Sequence, residues 1–188
     1  MDRRQRKTRE AIFSAFTSLL ERNSYNQISV QDIIDKADIG RTTFYAHFET
    51  KDYLLKDLCE ELFGHIIDTA MGHHHGNYHD FCALQADSVF LHLLLHLQEN
   101  DLNILGLLSS ENNEIFLRYF KSNLKKLIIT YYENRGVLEK SKLPPDYLVN
   151  HIASSFVETV EWWIKDNMKN TPEEITEYFL AVTEPILK

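Results

Sequence analysis

Glycine, proline and cysteine are scarce in this chain of 188 residues, which contains 6 Gly, 4 Pro and 2 Cys. So few glycines and prolines leave little material for the tight turns of an all-β fold or for long flexible linkers. Cys59 and Cys82 are too few for a disulfide framework and fit a reducing compartment. The sequence therefore argues against a secreted or disulfide-stapled protein.

Long apolar runs are also missing. The longest candidate, Val89 to Leu97, is much shorter than the ~20 residues of a membrane span and contains His92 and His96. The N-terminus is basic and polar, so we expect no signal peptide. The 44% hydrophobic content is enough to bury a real core, and we predict a globular protein of the cytoplasm.

The net charge of −8 is unevenly distributed along the chain. Residues 1–60 hold 10 Lys or Arg and 10 Asp or Glu, so that the excess of acidic groups lies wholly in residues 61–188. The first nine residues carry five cations against one acid, Asp2. A polyanion would be repelled by the second part and could approach only the first. By itself, the basic N-terminal segment fits a solvated tail as well as it fits a segment that binds a polyanion.

Apolar residues recur with helical spacing throughout, and no segment shows the alternation of a strand. A first helix over about residues 6–22 is followed by two short ones, 30–37 and 41–48, and by a fourth from Thr50 to about Ile67. Longer segments are predicted at about 79–99, 101–109, 113–135, 145–168 and 172–187. We predict an all-α protein of about nine helices, in which a three-helix N-terminal domain, residues 1–50, is joined by a linking helix, about 51–68, to a larger bundle, residues 69–188.

Local signals mark several helix ends. Ser29 has the character of an N-cap with Asp32 three residues later, and Thr171 with Glu174 forms a capping box around a proline at the first helical position. Gly136 stands where a helix C-cap is expected.

Two short helices joined by the tight turn Asp38-Ile39-Gly40 form a helix-turn-helix layout, which is weak by itself because many all-α proteins contain it. The cations add to it. Arg41 and Lys51 each stand at a predicted helix start, where a positive charge opposes the helix dipole unless an anion such as a phosphate binds there. Thr42, Thr43, Tyr45 and His47 supply further donors of the kind that contact phosphates and base edges.

The run from Ile28 to Phe48, followed by Lys51-Asp52-Tyr53-Leu54-Leu55, resembles the DNA-binding domain of TetR-family transcriptional regulators over about residues 6–60. The segment Glu161-Trp162-Trp163-Ile164-Lys165, followed by Thr171-Pro172-Glu173-Glu174-Ile175, resembles more loosely a C-terminal domain common in TetR-like regulators of Gram-positive bacteria. The resemblance implies a homodimer that binds a pseudo-palindromic operator in double-stranded DNA and responds to a small-molecule effector, most often as a repressor.

The resemblance also implies roles for single residues. Gln31, Arg41 and Thr42 match positions that reach the major groove, whereas Thr43, Tyr45, His47 and Lys51 match positions that hold the DNA backbone. Phe44 and Phe48 match core positions that fix the recognition helix. The last two long helices of each subunit would form the dimer interface. Asp38 departs from the family, which mostly has Gly in the turn; Asp tolerates the left-handed conformation but adds negative charge near the DNA.

Histidine and aromatic residues raise further possibilities. His73-His74-His75, with His65 and His79 nearby, suggests a metal site, but adjacent side chains point in different directions, so we interpret the segment as a polar loop. His92 and His96 have a spacing that can share a metal. Because they lie in an apolar segment, we instead interpret them as core or pocket-lining residues. Aromatic residues at helical spacing are also more often core than pocket, but His92, His96, Phe120, Phe156 and Trp162 are our candidates for a ligand pocket between helices. We predict no resident metal and no cofactor.

No nucleophile triad, phosphate loop or paired-carboxylate pattern is present, so the sequence favours a regulator over an enzyme. One alternative keeps the fold but makes the chain a co-activator or adaptor that binds another protein, with weak or lost DNA binding. A second is a helical bundle that binds or converts a small molecule. The first is motivated by Asp38 and the acidic second part, and the second by the His and aromatic content.

Overall fold

The computed structural model describes residues 3–20, 22–70, 88–99, 104–108, 114–133 and 135–187. Within these ranges the chain forms nine α-helices and no strand, which confirms the all-α prediction. The helices are α1 (Arg3–Leu20), α2 (Val30–Ala37), α3 (Arg41–His47), α4 (Lys51–Ala70), α5 (Val89–Gln98), α6 (Ile104–Leu108), α7 (Glu114–Glu133), α8 (Pro145–Lys165) and α9 (Pro172–Thr183). No helix of the described ranges is both long and apolar enough to cross a membrane.

The chain divides into two compact units, one formed by residues 1–61 and 100–119 and the other by residues 62–99 and 120–188. Helices α4 and α7 contribute residues to both units. The predicted functional division into residues 1–50, a linking helix over 51–68 and residues 69–188 stays a prediction about which segments act together.

The first unit is built around α1, which packs on α2. Ile12 and Phe16 of α1 and Ile33 of α2 are fully buried, as are Phe44 of α3 and Phe48 just after it. The Phe48 ring meets Phe13 of α1 edge to face at a centroid distance of 5.6 Å. Helices of seven and eight residues are too short to be stable alone, so α2 and α3 depend on this burial.

The second unit has an aromatic core. Helix α5 packs on α9, and α9 on α8. Phe90 of α5 lies 4.7 Å from Phe179 of α9 and 5.4 Å from Phe156 of α8, measured between ring centroids. Such contacts add about 0.5–1.5 kcal/mol each to the free energy gained by burying the rings.

The predicted caps are confirmed. The hydroxyl of Ser29 accepts the N–H of Asp32 at the start of α2, and that of Thr171 accepts the N–H of Glu174 at the start of α9. Gly136 follows α7 with φ +60°. There the N–H of Val137 donates to the carbonyl of Tyr132 (3.1 Å) and the N–H of Gly136 to that of Glu133 (2.9 Å), the two bonds of a Schellman motif.

Several helix ends differ from the prediction. Helix α1 begins at Arg3, so the basic N-terminal residues from Arg3 onward are helical. Helix α8 ends at Lys165 rather than 168, because Asn167 and Met168 take positive φ angles. Helix α9 ends at Thr183 and passes into a 3₁₀ turn, because Pro185 has no N–H to continue the helix. The predicted segment 79–87 and the loop with His73, His74, His75 and His79 lie outside the described residues, as does the side chain of His65.

Two glycines provide a matched test of these local requirements. Gly136 needs its positive φ angle, whereas Gly64 lies inside α4, and a Cβ added at either meets no described atom within 4 Å. We expect Gly136→Ala to lower the free energy of unfolding by about 1 kcal/mol because of the left-handed backbone. Gly64→Ala should raise it by about 0.5–1 kcal/mol through helix propensity. Urea unfolding followed by circular dichroism measures both, and a stabilising Gly136→Ala would contradict the assigned motif.

Candidate nucleic-acid interface

The turn between α2 and α3 is closed by Asp38 in the left-handed conformation, with φ 51° and ψ 50°. The N–H of Ile39 donates to the carbonyl of Ile34 at 3.2 Å, and the N–H of Asp38 donates to the last carbonyls of α2. Asp therefore supplies the geometry for which a glycine is the usual residue. Its exposed carboxylate stands in the turn that leads into α3.

Helix α3 has one face fixed in the core and the rest in solvent. Phe44 is fully buried, whereas Arg41, Thr42, Thr43 and Tyr45 are exposed. His47 is half-buried, and the Arg41 guanidinium carbon lies 5.8 Å from the centre of the Tyr45 ring. Five of the predicted contact residues thus lie on one helix that Phe44 anchors, and four of them are exposed.

Helix α2 presents Gln31 to solvent. Its amide donates to the Asp35 carboxylate at 2.8 Å one turn later. Below it, Ile33 and Ile34 are buried, so α2 has one anchored and one accessible face as α3 does. The structure therefore leaves the side chain of Gln31 accessible to a large ligand.

Lys51, predicted to hold the DNA backbone, makes its contacts inside the protein. Its ammonium donates to the carbonyls of Tyr25 (2.8 Å) and Ile28 (2.6 Å), and it lies 4.1 Å from the centre of the Tyr25 ring. Burial lowers the pKa of Lys51, against the opposing effects of the nearby Asp52 and Asp32 carboxylates. Two of its three N–H donors are thereby used within the first unit.

Tyr25 and Asp52 complete this cluster and were missed by the sequence reasoning. The Tyr25 hydroxyl donates to the Asp52 carboxylate, and the side chain is only 4% exposed. Burial first, and the bond to Asp52 second, raise the pKa of Tyr25 well above its usual range. The available signal was an aromatic residue inside the polar break Asn23-Ser24-Tyr25-Asn26, which indicates a side chain that folds back onto the core.

Arg9 is the one basic residue of the N-terminal segment whose guanidinium is held by α4. It pairs with Asp57 at 2.5 Å and with Glu61 at 3.5 Å, and it lies 4.8 Å from the centre of the Phe13 ring. Arg3, Arg4 and Lys7 are exposed on the same helix. From Arg3 onward, the basic N-terminal segment is therefore part of α1, and the Arg9 cation is engaged in contacts within the first unit.

The residues predicted for a ligand pocket lie in different surroundings. His92 and His96 are buried on α5, with their Nε2 atoms 3.1 Å apart. Phe120 packs against Phe63 at 5.0 Å, and Phe156 lies in the aromatic core described above. Within the described ranges no three His, Cys, Asp or Glu side chains are grouped closely enough to hold a metal ion.

Trp162 belongs to a surface groove and not to the core. The groove, of about 300 Å³, runs along α8 and α9 and is lined by Ser155, Glu158, Thr159, Trp162, Tyr178, Phe179, Val182 and Thr183. None of the other four predicted pocket residues lines it. The assignment of these five residues to one pocket therefore remains a prediction.

Comparison with known proteins gives consistent results for the N-terminal and the C-terminal part of the chain. Residues 12–58 match the family described as bacterial regulatory proteins, tetR family, and residues 85–184 match a transcriptional regulator C-terminal region. A TetR transcriptional regulator from Streptococcus agalactiae 2603V has a similar structure, with 35% identity, a TM-score of 0.71 and coverage of 97% of this chain and 96% of that one.

Two curated bacterial proteins are similar over most of the chain. The HTH-type dhaKLM operon transcriptional activator DhaS of Lactococcus lactis is 29% identical over 149 residues, which are 79% of this chain and 74% of that protein. The HTH-type transcriptional regulator YvdT of Bacillus subtilis is 29% identical over 135 residues, 69% of this chain and 70% of that protein.

The cap of α2 generates a pH-dependent prediction. The Ser29 hydroxyl and backbone N–H, each 2.7 Å from the Asp32 carboxylate, lower the pKa of Asp32 below its usual 3.8. A lowered folded-state pKa means that the charged group stabilises the fold above about pH 4, and that this contribution is lost as the pH falls through the folded-state value. We expect Asp32→Asn to destabilise at pH 7 and the difference from wild type to shrink as the pH falls through the lowered pKa of Asp32, as measured by denaturant unfolding at a series of pH values. A difference that grows on acidification would contradict the assignment.

Proposed function

The chain belongs to the TetR family of DNA-binding transcriptional regulators, and we propose that it binds a pseudo-palindromic operator as a homodimer and represses transcription until a small-molecule effector binds. Because its target is chromosomal DNA, it would act in the cytoplasm.

The observation that carries the proposal is the division of α3 into an anchored and an accessible face. Phe44 holds the helix against the core, while Arg41 and Thr42 at its start and Thr43 and Tyr45 beside them stay exposed. A helix of this kind fits the major groove of B-DNA, with Arg able to make paired hydrogen bonds to guanine. Arg41 and Thr42, with Gln31 on α2, are the proposed base contacts, and Thr43, Tyr45 and His47 the proposed backbone contacts.

The charge distribution supports the same orientation. The acidic excess of the chain lies outside residues 1–60, so DNA would approach the first unit and be repelled elsewhere. Asp38 is the exception, since its exposed carboxylate leads into α3. It would lower the affinity for all DNA, which leaves more of the binding free energy to depend on specific base contacts.

An unpaired apolar surface supports the homodimer. Val182 is 71% exposed, and Trp162 and Tyr178 are each about half exposed. All three line the groove along α8 and α9, whose other walls include the small residues Ser155 and Thr159. Large apolar surfaces of this kind mark interfaces. We propose that a second copy packs here and that the two α3 helices of the dimer bind successive major grooves, which are about 34–36 Å apart.

The proposal also includes a small-molecule effector and a direction of regulation. A ligand that favours a dimer with misplaced α3 helices weakens DNA binding through a coupling free energy of about 1–3 kcal/mol. Transcriptional activation is the second candidate, favoured by the similarity to DhaS, which is described as an operon activator. Either sign requires the same operator-binding surface.

Arg41→Ala tests that surface. Loss of a paired contact to a guanine costs about 1–3 kcal/mol, so we expect operator affinity to fall about 10- to 100-fold while binding to a scrambled duplex changes much less. Fluorescence anisotropy with DNA from upstream of the protein's own gene, over a series of salt concentrations, measures both.

Lys126→Ala is the matched control, because it removes the same charge from an exposed position on α7. It should leave operator binding within about twofold of wild type. Equal losses in the two variants would contradict a specific role for Arg41, and the absence of salt-dependent binding in the wild type would favour the adaptor alternative. In cells, a reporter whose expression rises with Arg41→Ala indicates repression, and one whose expression falls indicates activation.

Val182→Glu tests the proposed interface. A carboxylate in an apolar interface must lose its hydration without a partner, so we expect the dimer to dissociate at least 100-fold more readily. Sedimentation velocity over a range of protein concentrations gives the dissociation constant. Ile129→Glu, which changes an exposed apolar residue of α7, is the control and should leave the dimer intact. If instead Ile129→Glu dissociates the protein and Val182→Glu does not, the interface lies elsewhere.

A further inference from the structure

The contacts of Lys51 join the two ends of the helix-turn-helix segment. The carbonyls that it binds belong to Tyr25 and Ile28, just before the cap of α2, and Lys51 itself is the first residue of α4. Helices α2 and α3 both lie between these points in the chain. One ammonium group therefore closes the segment from residue 28 to residue 51, which contains α2 and α3, without a covalent bond.

Tyr25 and Asp52 hold the ammonium in place. The Tyr25 ring lies 4.1 Å from Lys51 Nζ, and its hydroxyl donates to the carboxylate of Asp52, the next residue along α4. The ring also packs edge to face on Phe16 of α1 at 6.3 Å. The cluster of Lys51, Tyr25 and Asp52 thus connects α1, the turn before α2, and α4.

The same geometry leaves little of Lys51 for a DNA phosphate. Two of its three N–H groups are bonded to carbonyls, and an aromatic ring lies against the ammonium. The lowered pKa, caused first by burial, agrees with an ammonium withdrawn from solvent. Only the third N–H remains for a phosphate. If Lys51 turned the other two away, the carbonyl of Tyr25 would keep the N–H of Ile28 (3.3 Å), but the carbonyl of Ile28 would lose the bond from Lys51 in a partly buried site, which is costly.

We propose that Lys51 is a positioning residue, which with Tyr25 and Asp52 fixes α3 for the major groove, and that its effect on operator affinity comes from this positioning and not from neutralising a phosphate. This inference rests on the proposed operator binding. It assigns functional importance to Tyr25, an uncharged and almost fully buried residue that cannot act on DNA directly.

The salt dependence of binding separates positioning from phosphate contact. Each lysine that neutralises a phosphate contributes about 0.9 to the slope of log affinity against log salt concentration. We expect Lys51→Met, which keeps the aliphatic stem, to lower operator affinity about tenfold without changing that slope. Lys51→Arg retains a cation with several donors and should recover most of the loss.

Tyr25→Phe is the matched variant, because it keeps the ring and removes only the hydroxyl bonded to Asp52. We expect it to lower operator affinity about three- to tenfold, again at constant slope, as for the loss of one buried hydrogen bond. The double variant Tyr25→Phe with Lys51→Met should lose less than the product of the two single losses, because both act through one cluster. All affinities are measured at a temperature where circular dichroism shows each variant folded. If Lys51→Met does not fold, Lys51→Arg and Tyr25→Phe, which change less of the cluster, carry the test.

Two results would overturn the inference. If Lys51→Met reduced the slope of log affinity against log salt concentration by about 0.9 for each lysine removed, and Tyr25→Phe left the affinity unchanged, Lys51 would be a phosphate contact. Independent, multiplicative losses in the double variant would separate Tyr25 from Lys51. In both cases wild-type binding persists and the proposed function stands. If the wild type itself shows no preference for the operator over a scrambled duplex, the proposed function fails and this inference fails with it.

Discussion

A helix of seven residues has too few internal hydrogen bonds to be stable in water, and α3 exists because Phe44 and Phe48 are buried beneath it. Phe48 in turn meets Phe13 of α1 edge to face, and the Arg9 guanidinium lies over both of these rings. The accessible side chains of α3 therefore take their positions from a small aromatic core on the opposite face. The placement of the α3 side chains at the candidate interface therefore depends on that core.

Features set by neighbours in the chain could be predicted from the sequence. The caps at Ser29 and Thr171 and the positive φ at Gly136 need only the residues within one turn of each helix end, and the left-handed Asp38 needs only the turn itself. The partners of charged residues could not be predicted in this way. Arg9 and Asp57 are 48 residues apart in the chain. A cation at position 9 or 51 looks the same in the sequence whether its side chain is in solvent or is bonded within the protein. The charge of these residues is visible in the sequence, whereas their contacts depend on packing between distant segments of the chain.

Aromatic residues show the same limit within one helix. Trp162 and Trp163 are adjacent on α8, yet the first is 50% exposed and the second fully buried. Neighbouring residues differ in direction by about 100° on a helix, so Trp163 points toward the core, whereas Trp162 points toward the groove with Tyr178 and Val182. Helical periodicity identifies an apolar face but does not distinguish a core from a surface that a second subunit covers. For that reason helical spacing alone does not decide whether Trp162 and Phe156 line the same pocket.

Helix α4 is held by the first unit at three successive positions. Lys51 and Asp52 join the Tyr25 cluster, Asp57 and Glu61 pair with Arg9, and Leu54, Leu55 and Leu58 are fully buried between them. Buried apolar contacts resist separation, and charge pairs on either side of them resist rotation of the helix about its axis. Residues 51–61 of α4 are therefore attached to the rest of the first unit by apolar burial as well as by polar contacts. In the proposed regulator, a movement of these residues would be passed to α3 through the first unit.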